Sequence, residues 1–168
     1  MTEFALDQSR IQEFENGLDP LNPLESKIPC EILGYGEIST VLQIDNNSDL
    51  AAKRMPLFSS RSAANEYALI YEQYCDRLRS AGLNVPEDMT VRVDGHKGIT
   101  VLYILQKQLP PHRFCHKLIH TQSDLFIEDM ATRIISELEK VWKYNSEHEP
   151  EIKLAIDGQL SNWVLLSS

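Results

Sequence analysis

The sequence predicts an α+β fold, and three observations support this prediction. Between about residues 30 and 105, apolar runs bounded by turn residues follow the order of three strands, one helix and two strands. From about residue 123 onward, apolar residues recur at the three- and four-residue spacing of a helix. We therefore expect a five-stranded antiparallel sheet packed against one helix, followed by a partial helical region.

Turn residues separate the predicted elements of the sheet region. The Asp- and Asn-rich stretch 45–49 connects the second and third strands, and residues 94–98 form a hairpin loop before the last strand. The helix is expected over about 60–80, with Gly82 ending it. The predicted strands are residues 30–34, 39–45, 50–55, 89–93 and 99–105.

The sequence divides the chain into three segments. Residues 1–29 contain a short amphipathic helix, predicted over 4–16, and a linker rich in proline, which restricts the backbone. Residues 30–105 form the sheet lobe, and residues 106–168 form a connector and a helical portion. The long helix expected at about 123–145 has a broad apolar face, as a core helix does.

Composition excludes several classes of partner. The net charge is −9, from 16 basic and 25 acidic residues, which disfavours nucleic acid and anionic membrane surfaces. No apolar run approaches the roughly 20 residues of a membrane-spanning helix. Three widely spaced cysteines form no disulfide framework, and with no secretory signal this indicates a cytoplasmic protein.

A glycine-containing turn joins the first two predicted strands. Gly34 and Gly36 lie there, and Ser39 and Val41 follow. Glycines in such a turn let backbone N–H groups approach phosphate oxygens without interference from side chains. A plain hairpin is the alternative, whereas a Rossmann turn is rejected because a strand follows the glycines.

Two more segments follow the glycine turn along the chain, one containing a lysine and one containing an aspartate and an asparagine. Lys53 ends the third predicted strand, and Asp157 precedes Asn162 by five positions. The three segments together resemble the protein-kinase-like superfamily, with its glycine-rich turn, strand lysine and Asp-x4-Asn loop. The resemblance covers about residues 30–166, and a hairpin turn at Asp157-Gly158 between two short strands is the alternative for the last segment.

The resemblance implies a nucleotide site. ATP with Mg²⁺ would bind between a sheet lobe and a helical lobe, and the γ-phosphate would pass to an unknown small-molecule or protein acceptor. Gly34, Gly36, Ser39 and Val41 would cover the nucleotide, and the backbone near Gln106 would meet the adenine.

The resemblance also implies the catalytic residues. Lys53 would hold the phosphates and pair with Glu66, placed at the margin of the apolar stripe of the helix, with Glu72 in reserve. Asp157 would be the base, and Asn162 would supply a neutral oxygen ligand to Mg²⁺.

Two departures from the family pattern shape the functional hypotheses. Ala155 and Ile156 stand where typical protein kinases have His-Arg, which favours an atypical or small-molecule phosphotransferase. The chain ends at Ser168, before the position of the metal-binding aspartate, so we expect little phosphotransfer from these residues alone.

The alternative to an active phosphotransferase is a catalytically inactive, pseudokinase-like module that binds a protein partner. A generic α+β domain with coincidental motifs is the third interpretation.

A histidine cluster follows the connector. His112, His116 and His120 would share one face of a helix, a spacing that can bind Zn²⁺. A polar helix surface is the preferred interpretation, because no glutamate stands between the histidines as in zinc proteases.

Overall fold

A computed structural model of the chain describes residues 6–166. They form two compact units. The first contains the chain up to Glu72 together with Pro86–Gln108, and the second contains Gln73–Val85 together with the chain from Leu109 onward. Each unit has its own apolar clusters.

A five-stranded antiparallel sheet forms the centre of the first unit. Its strands follow the order β1-β2-β3-β5-β4, so each predicted strand is present and the α+β prediction is confirmed. The strands are β1 (Cys30–Gly36), β2 (Ser39–Ile44), β3 (Leu50–Phe58), β4 (Asp88–Asp94) and β5 (Thr100–Lys107).

The predicted turns adopt the backbone geometry that their residues favour. Asp45 and Asn46 have φ of 58° and 55°, a left-handed conformation that Asp and Asn tolerate better than most residues. The β4–β5 loop likewise contains Lys97 at φ 59° and Gly98 at φ 77°. Polar and glycine residues at these positions therefore set where the strands reverse.

Two helices pack against the sheet, and the sequence predicts both of them. Helix α1 (Gln8–Asn16) begins after Asp7, whose side chain accepts a hydrogen bond from the Arg10 backbone N–H. Residues 4 and 5 of the predicted helix, including Phe4, lie outside the described residues. Helix α2 (Arg61–Ser80) matches its predicted range and is followed by Gly82 at φ 91°.

The two faces of the sheet have different apolar clusters. Side chains alternate along each strand, so successive residues of β3 and β5 join opposite clusters. The cluster on the α2 face contains Met55, Phe58, Ala64, Ala68, Leu102 and Ile104. The cluster on the α1 face includes Ile11, Phe14, Leu42, Ile44, Leu50, Ala52, Val91, Val93, Val101, Tyr103 and Leu105.

Helix α1 is attached to the sheet by side-chain amides as well as by apolar contacts. The Gln12 side chain donates to the Asp94 carbonyl at 2.9 Å and accepts from the Asp94 N–H at 2.8 Å. Gln8 donates to the Arg92 carbonyl at 3.3 Å. The helix, predicted as a segment separate from the sheet lobe, is therefore part of the sheet unit.

A buried polar network joins α1 to the two central strands. Arg54 of β3 donates two hydrogen bonds to the Glu15 carboxylate, at 2.8 and 2.6 Å, and the Tyr103 hydroxyl of β5 donates to the same carboxylate at 2.6 Å. Glu15 and Arg54 are each 8% exposed, and Tyr103 is fully buried. A bidentate pair in this geometry fixes orientation as well as charge.

The second unit is helical and packs around α4 (Asp124–His148), which follows the short helix α3 (Cys115–Leu118). Met130, Ile134 and Val141 of α4 are buried in two apolar clusters. The prediction that the broad apolar face of α4 is buried in the core is only partly correct, because Ile135 and Trp142 are 52% and 58% exposed. Among residues 6–166, no helix combines the length and apolar composition that crossing a bilayer requires.

Replacing Glu15 by alanine should destabilise the chain strongly. Arg54 would keep a buried charge with no carboxylate, so we expect the free energy of unfolding to fall by about 3–5 kcal/mol in urea titrations. Glu13→Ala is the matched control, because Glu13 pairs with Arg10 at the surface and its loss should change stability by under about 1 kcal/mol. Equal losses in the two variants would contradict this role of the network.

The buried tyrosine should make stability sensitive to alkaline pH. Burial, reinforced by the Glu15 charge, raises the pKa of Tyr103 above its ordinary value. Above pH ~10 the unfolded chain loses this proton while the folded chain keeps it, so stability falls as pH rises, by up to about 1.4 kcal/mol per pH unit. Urea titrations from roughly pH 8 to roughly pH 11 should show a shallower decline for Tyr103→Phe. An equally steep decline in Tyr103→Phe would contradict this role of the buried hydroxyl.

Candidate functional site

Four residues on neighbouring strands form a row across the α2 face of the sheet. Gly34 pairs with Val41, Val41 with Lys53, and Lys53 with Ile104, and paired residues of antiparallel strands share a face. Helix α2 covers the Ile104 end of this row. At the other end Lys53 is exposed, and a Cβ built at Gly34 would meet no atom within 4 Å. The β1–β3 part of the row is therefore open surface.

The other predicted nucleotide-binding residues lie on the same face. Side chains alternate along each strand, so Gly36, Ser39 and Gln106 share the face of the row. Ala51 pairs with Gln106 and also belongs to it. The sequence analysis gave Ala51 no role. Its position two residues before Lys53 could have placed it on the same face, because side chains two residues apart on a strand point to the same side. The structure thus collects these residues on one surface, and their roles in binding stay predictions.

Gly36 is needed for a close approach within the glycine turn. A Cβ at this position would lie 2.5 Å from Ser39 Oγ, and Ser39 is buried. Glu37 and Ile38 form the tip of the turn between the paired residues Gly36 and Ser39. The turn is therefore a tight hairpin in which the Ser39 side chain lies against Gly36, whereas no atom covers Gly34.

The carboxylate expected beside Lys53 is not Glu66 in this structure. Ala64 and Ala68 of α2 are fully buried against the sheet, and Glu66 is displaced by about 200° from Ala64 around the helix. Glu66 is accordingly exposed on the outer side, not at the margin of the apolar stripe. Within residues 6–166, no ion pair involving Lys53 is present.

The reserve candidate, Glu72, is bound to the far edge of the sheet. Its carboxylate accepts a hydrogen bond from the Thr90 hydroxyl at 2.5 Å and lies 3.7 Å from the Arg92 guanidinium. Both partners belong to β4, two strands away from Lys53. Glu72 therefore fixes α2 to β4 and leaves the Lys53 ammonium group solvated.

In the second unit, Asp157 and Asn162 belong to one compact loop. The Asn162 side chain donates to the Asp157 carbonyl at 3.4 Å, and the Asp157 carboxylate accepts from the Gln159 N–H at 3.0 Å. A turn of 3₁₀ helix, Leu160–Asn162, closes the loop. Both side chains are exposed, so the loop presents a carboxylate and an amide to solvent.

Side chains from two helices fix the chain just before this loop. Asn145 of α4 donates to the Leu154 carbonyl at 2.9 Å and accepts from the Leu154 N–H at 2.7 Å. The Tyr74 hydroxyl donates to the Ala155 carbonyl at 2.8 Å. Burial raises the pKa of Tyr74, and the charges of Cys75 and Asp157 raise it further. Sequence reasoning missed both Tyr74 and Asn145 because neither belongs to a motif.

The alternative for this segment, a hairpin at Asp157-Gly158, is not present in the structure. A type I′ turn needs positive φ at both central residues, and neither Asp157 nor Gly158 has it. Residues 152–159 form no strand. The segment after the loop pairs instead with the chain before α3, through a bridge between Phe114 and Val164 and a hydrogen bond from the Cys115 N–H to the Trp163 carbonyl at 2.9 Å.

The histidines after the connector do not form a metal site. His112 lies in the 3₁₀ turn Pro111–Arg113, His116 lies in α3 and His120 follows its end, so they do not share one helix. In the described part of the chain, no group of three or more His, Cys, Asp or Glu side chains could hold a metal ion. Cys30, Cys75 and Cys115 are free cysteines.

A recess of about 420 Å³ lies elsewhere on the first unit, beside the end of α1 and the β4–β5 turn. Its lining includes Asp19, Asp94 and His96 but none of the predicted site residues. Glu15 also borders it, but its carboxylate is already bound by Arg54 and Tyr103. The open sheet face is therefore the better candidate, because the unpaired lysine and the glycine turn meet there.

Comparison with known proteins gives a family but no activity. Residues 25–168 match a family of unknown function, DUF6206, and the chain belongs to that family. No curated protein and no solved structure matches the chain. The matched segment contains both units' candidate residues and leaves out helix α1.

The close approach at Gly36 can be tested by a rescue experiment. Gly36→Ala should lower the free energy of unfolding by about 1 kcal/mol, because the new methyl group displaces the buried Ser39 hydroxyl. Adding Ser39→Ala should restore part of the loss in a double-mutant cycle. Gly34→Ala, at a position with open space, is the control for the intrinsic effect of alanine. Independent, additive effects of the two substitutions would refute the contact.

Proposed function

We propose that this chain is a kinase-like domain that binds ATP with Mg²⁺ on the open part of the sheet face. The observation that supports it best is the row Gly34–Val41–Lys53, which places the exposed Lys53 side chain on the same face as the uncovered Gly34, with one strand between them. A phosphate group needs both features, because backbone N–H groups and a point charge can then contact its oxygens together.

The chemical groups on this face of the sheet fit the parts of a nucleotide. No side chain covers the backbone at Gly34, so a phosphate group could approach it closely there, while the Ser39 hydroxyl lies against Gly36. Val41, which is half-buried, offers a small apolar surface on the same face for a planar base, and the Gln106 backbone borders it beside the buried Ala51. Lys53 would neutralise phosphate charge, and Mg²⁺ would supply the remaining positive charge.

The loop in the second unit has the chemistry that the catalytic half of the proposal requires. A carboxylate such as Asp157 can orient a hydroxyl group and accept its proton, and the Asn162 amide oxygen is a suitable ligand for Mg²⁺. The Asn162 bond to the Asp157 carbonyl holds the two residues in one loop. Their roles as base and metal ligand, and the acceptor itself, belong to the proposal.

A pseudokinase-like interaction module is the second candidate, and two observations favour it. Lys53 has no carboxylate to orient it, since Glu66 is exposed on the outer side of α2 and Glu72 is bound to β4. Ala155 and Ile156 precede Asp157 in place of a His-Arg pair. Without these side chains the reacting groups would be positioned less well. A module that only binds a partner does not need such positioning.

Thermal shift with ATP separates the nucleotide-binding proposal from a nucleotide-free module. At tenfold excess over Kd, ATP with Mg²⁺ should raise Tm by about 3 °C, because ligand binding stabilises only the folded chain. Lys53→Ala should abolish the rise. Asn162→Ala should remove the part that depends on Mg²⁺.

Lys107→Ala is the matched control for charge. Lys107 is also an exposed lysine of the sheet, but alternation along β5 directs it to the opposite face from Lys53. The Tm rise should persist in this variant. No rise at millimolar ATP (on the order of the weakest affinities usually measured) would overturn nucleotide binding and leave the interaction module.

A further inference from the structure

Helix α4 has a second apolar stripe beside the one that it buries. Ala131, Ile135, Leu138 and Trp142 follow one another at spacings of four, three and four residues, which places them in one line along the helix. Ile135 is 52% and Trp142 58% exposed, and Leu138 is partly buried at the border with the core. This alternating spacing is typical of a helix that pairs with another helix.

The charges around this stripe are not balanced. At 100° per residue, Asp124 lies in line with the stripe and Glu128 and Glu139 lie along its solvent-side border. Within the described residues none of these three carboxylates forms an ion pair, whereas the basic residues of α4 lie farther round the helix and are paired. The pairs are Arg133–Asp129, Lys140–Glu137 and Lys143–Glu147.

We propose that the α4 stripe, formed by Ala131, Ile135, Leu138 and Trp142, docks an amphipathic helix of a partner protein with Lys or Arg beside its apolar residues. The apolar spacing supplies the contact, and the unpaired carboxylates select a basic partner. A second copy of this chain is a poor occupant, because its own stripe has the same acidic border and the net charge is −9. The proposal does not depend on nucleotide binding.

The test uses a fluorescein-labelled synthetic helical peptide as the probe. It has about 20 residues, with leucines at alternating spacings of about three and four residues and lysines beside them. A second peptide has glutamates in place of the lysines. Fluorescence anisotropy with the full chain should show binding of the lysine peptide at least about tenfold tighter than binding of the glutamate peptide.

Variants of the exposed side chains locate the binding surface. Ile135→Ser and Trp142→Ala should each weaken the lysine peptide at least about fivefold without lowering Tm, since both side chains are mostly solvated. Replacing Glu128 and Glu139 together by lysine should reverse the preference between the two peptides. Leu69→Ser on α2, at a side chain 54% exposed, is the matched control and should change nothing.

Three results would overturn the proposal. One is equal affinity for the two peptides, or binding of neither at about 1 mM. Another is binding that Ile135→Ser leaves unchanged. The third is a dimer of the wild-type chain, seen by analytical ultracentrifugation, that Ile135→Ser converts to monomer, because a second copy would then be the occupant.

Discussion

The contact between Glu15, Arg54 and Tyr103 is the one on which the sheet unit depends. A charge removed from water is destabilising unless it is paired and hydrogen-bonded, and here the pairing is complete only when α1, β3 and β5 are in place together. Other placements of α1 would leave Arg54 without its carboxylate. With α1 on one face, α2 packs on the opposite face and leaves the Gly34 end of that face open.

Most of the fold could be predicted because its signals are local. Turn residues and apolar runs placed all five strands, and the three- to four-residue apolar period placed α2 and α4. The position of α1 could not be predicted in this way, since Glu15 resembles a surface residue until its partner is known. One signal was present in β3, where Arg54 continues the alternation of the buried Leu50 and Ala52.

The part of the candidate site that strand pairing determines could be predicted from the sequence. The hairpin between β1 and β2 brings Gly34 beside Val41, and the next pairing brings Val41 beside Lys53, so sequence order alone collects these residues. That no carboxylate pairs with Lys53 within residues 6–166 was not predictable, because the direction of Glu66 depends on which side of α2 meets the sheet. The fully buried Ala64 and Ala68 decide that orientation and direct Glu66 to solvent. The Asp157 loop likewise depends on distant residues, Tyr74 and Asn145.

Strand β4 is at the edge of the sheet, where unpaired peptide groups can act as a template for a strand of another molecule. The glutamine side chains of α1 have the same amide chemistry as a peptide, and they engage the Asp94 N–H and the carbonyls of Arg92 and Asp94. The helix therefore occupies peptide groups of this edge that a strand of another molecule would otherwise bind. Because α1 lies outside the segment that matches the family, residues 25–168, the contact that this segment itself makes with the Arg92 carbonyl comes from the Arg61 guanidinium of α2, at 3.5 Å.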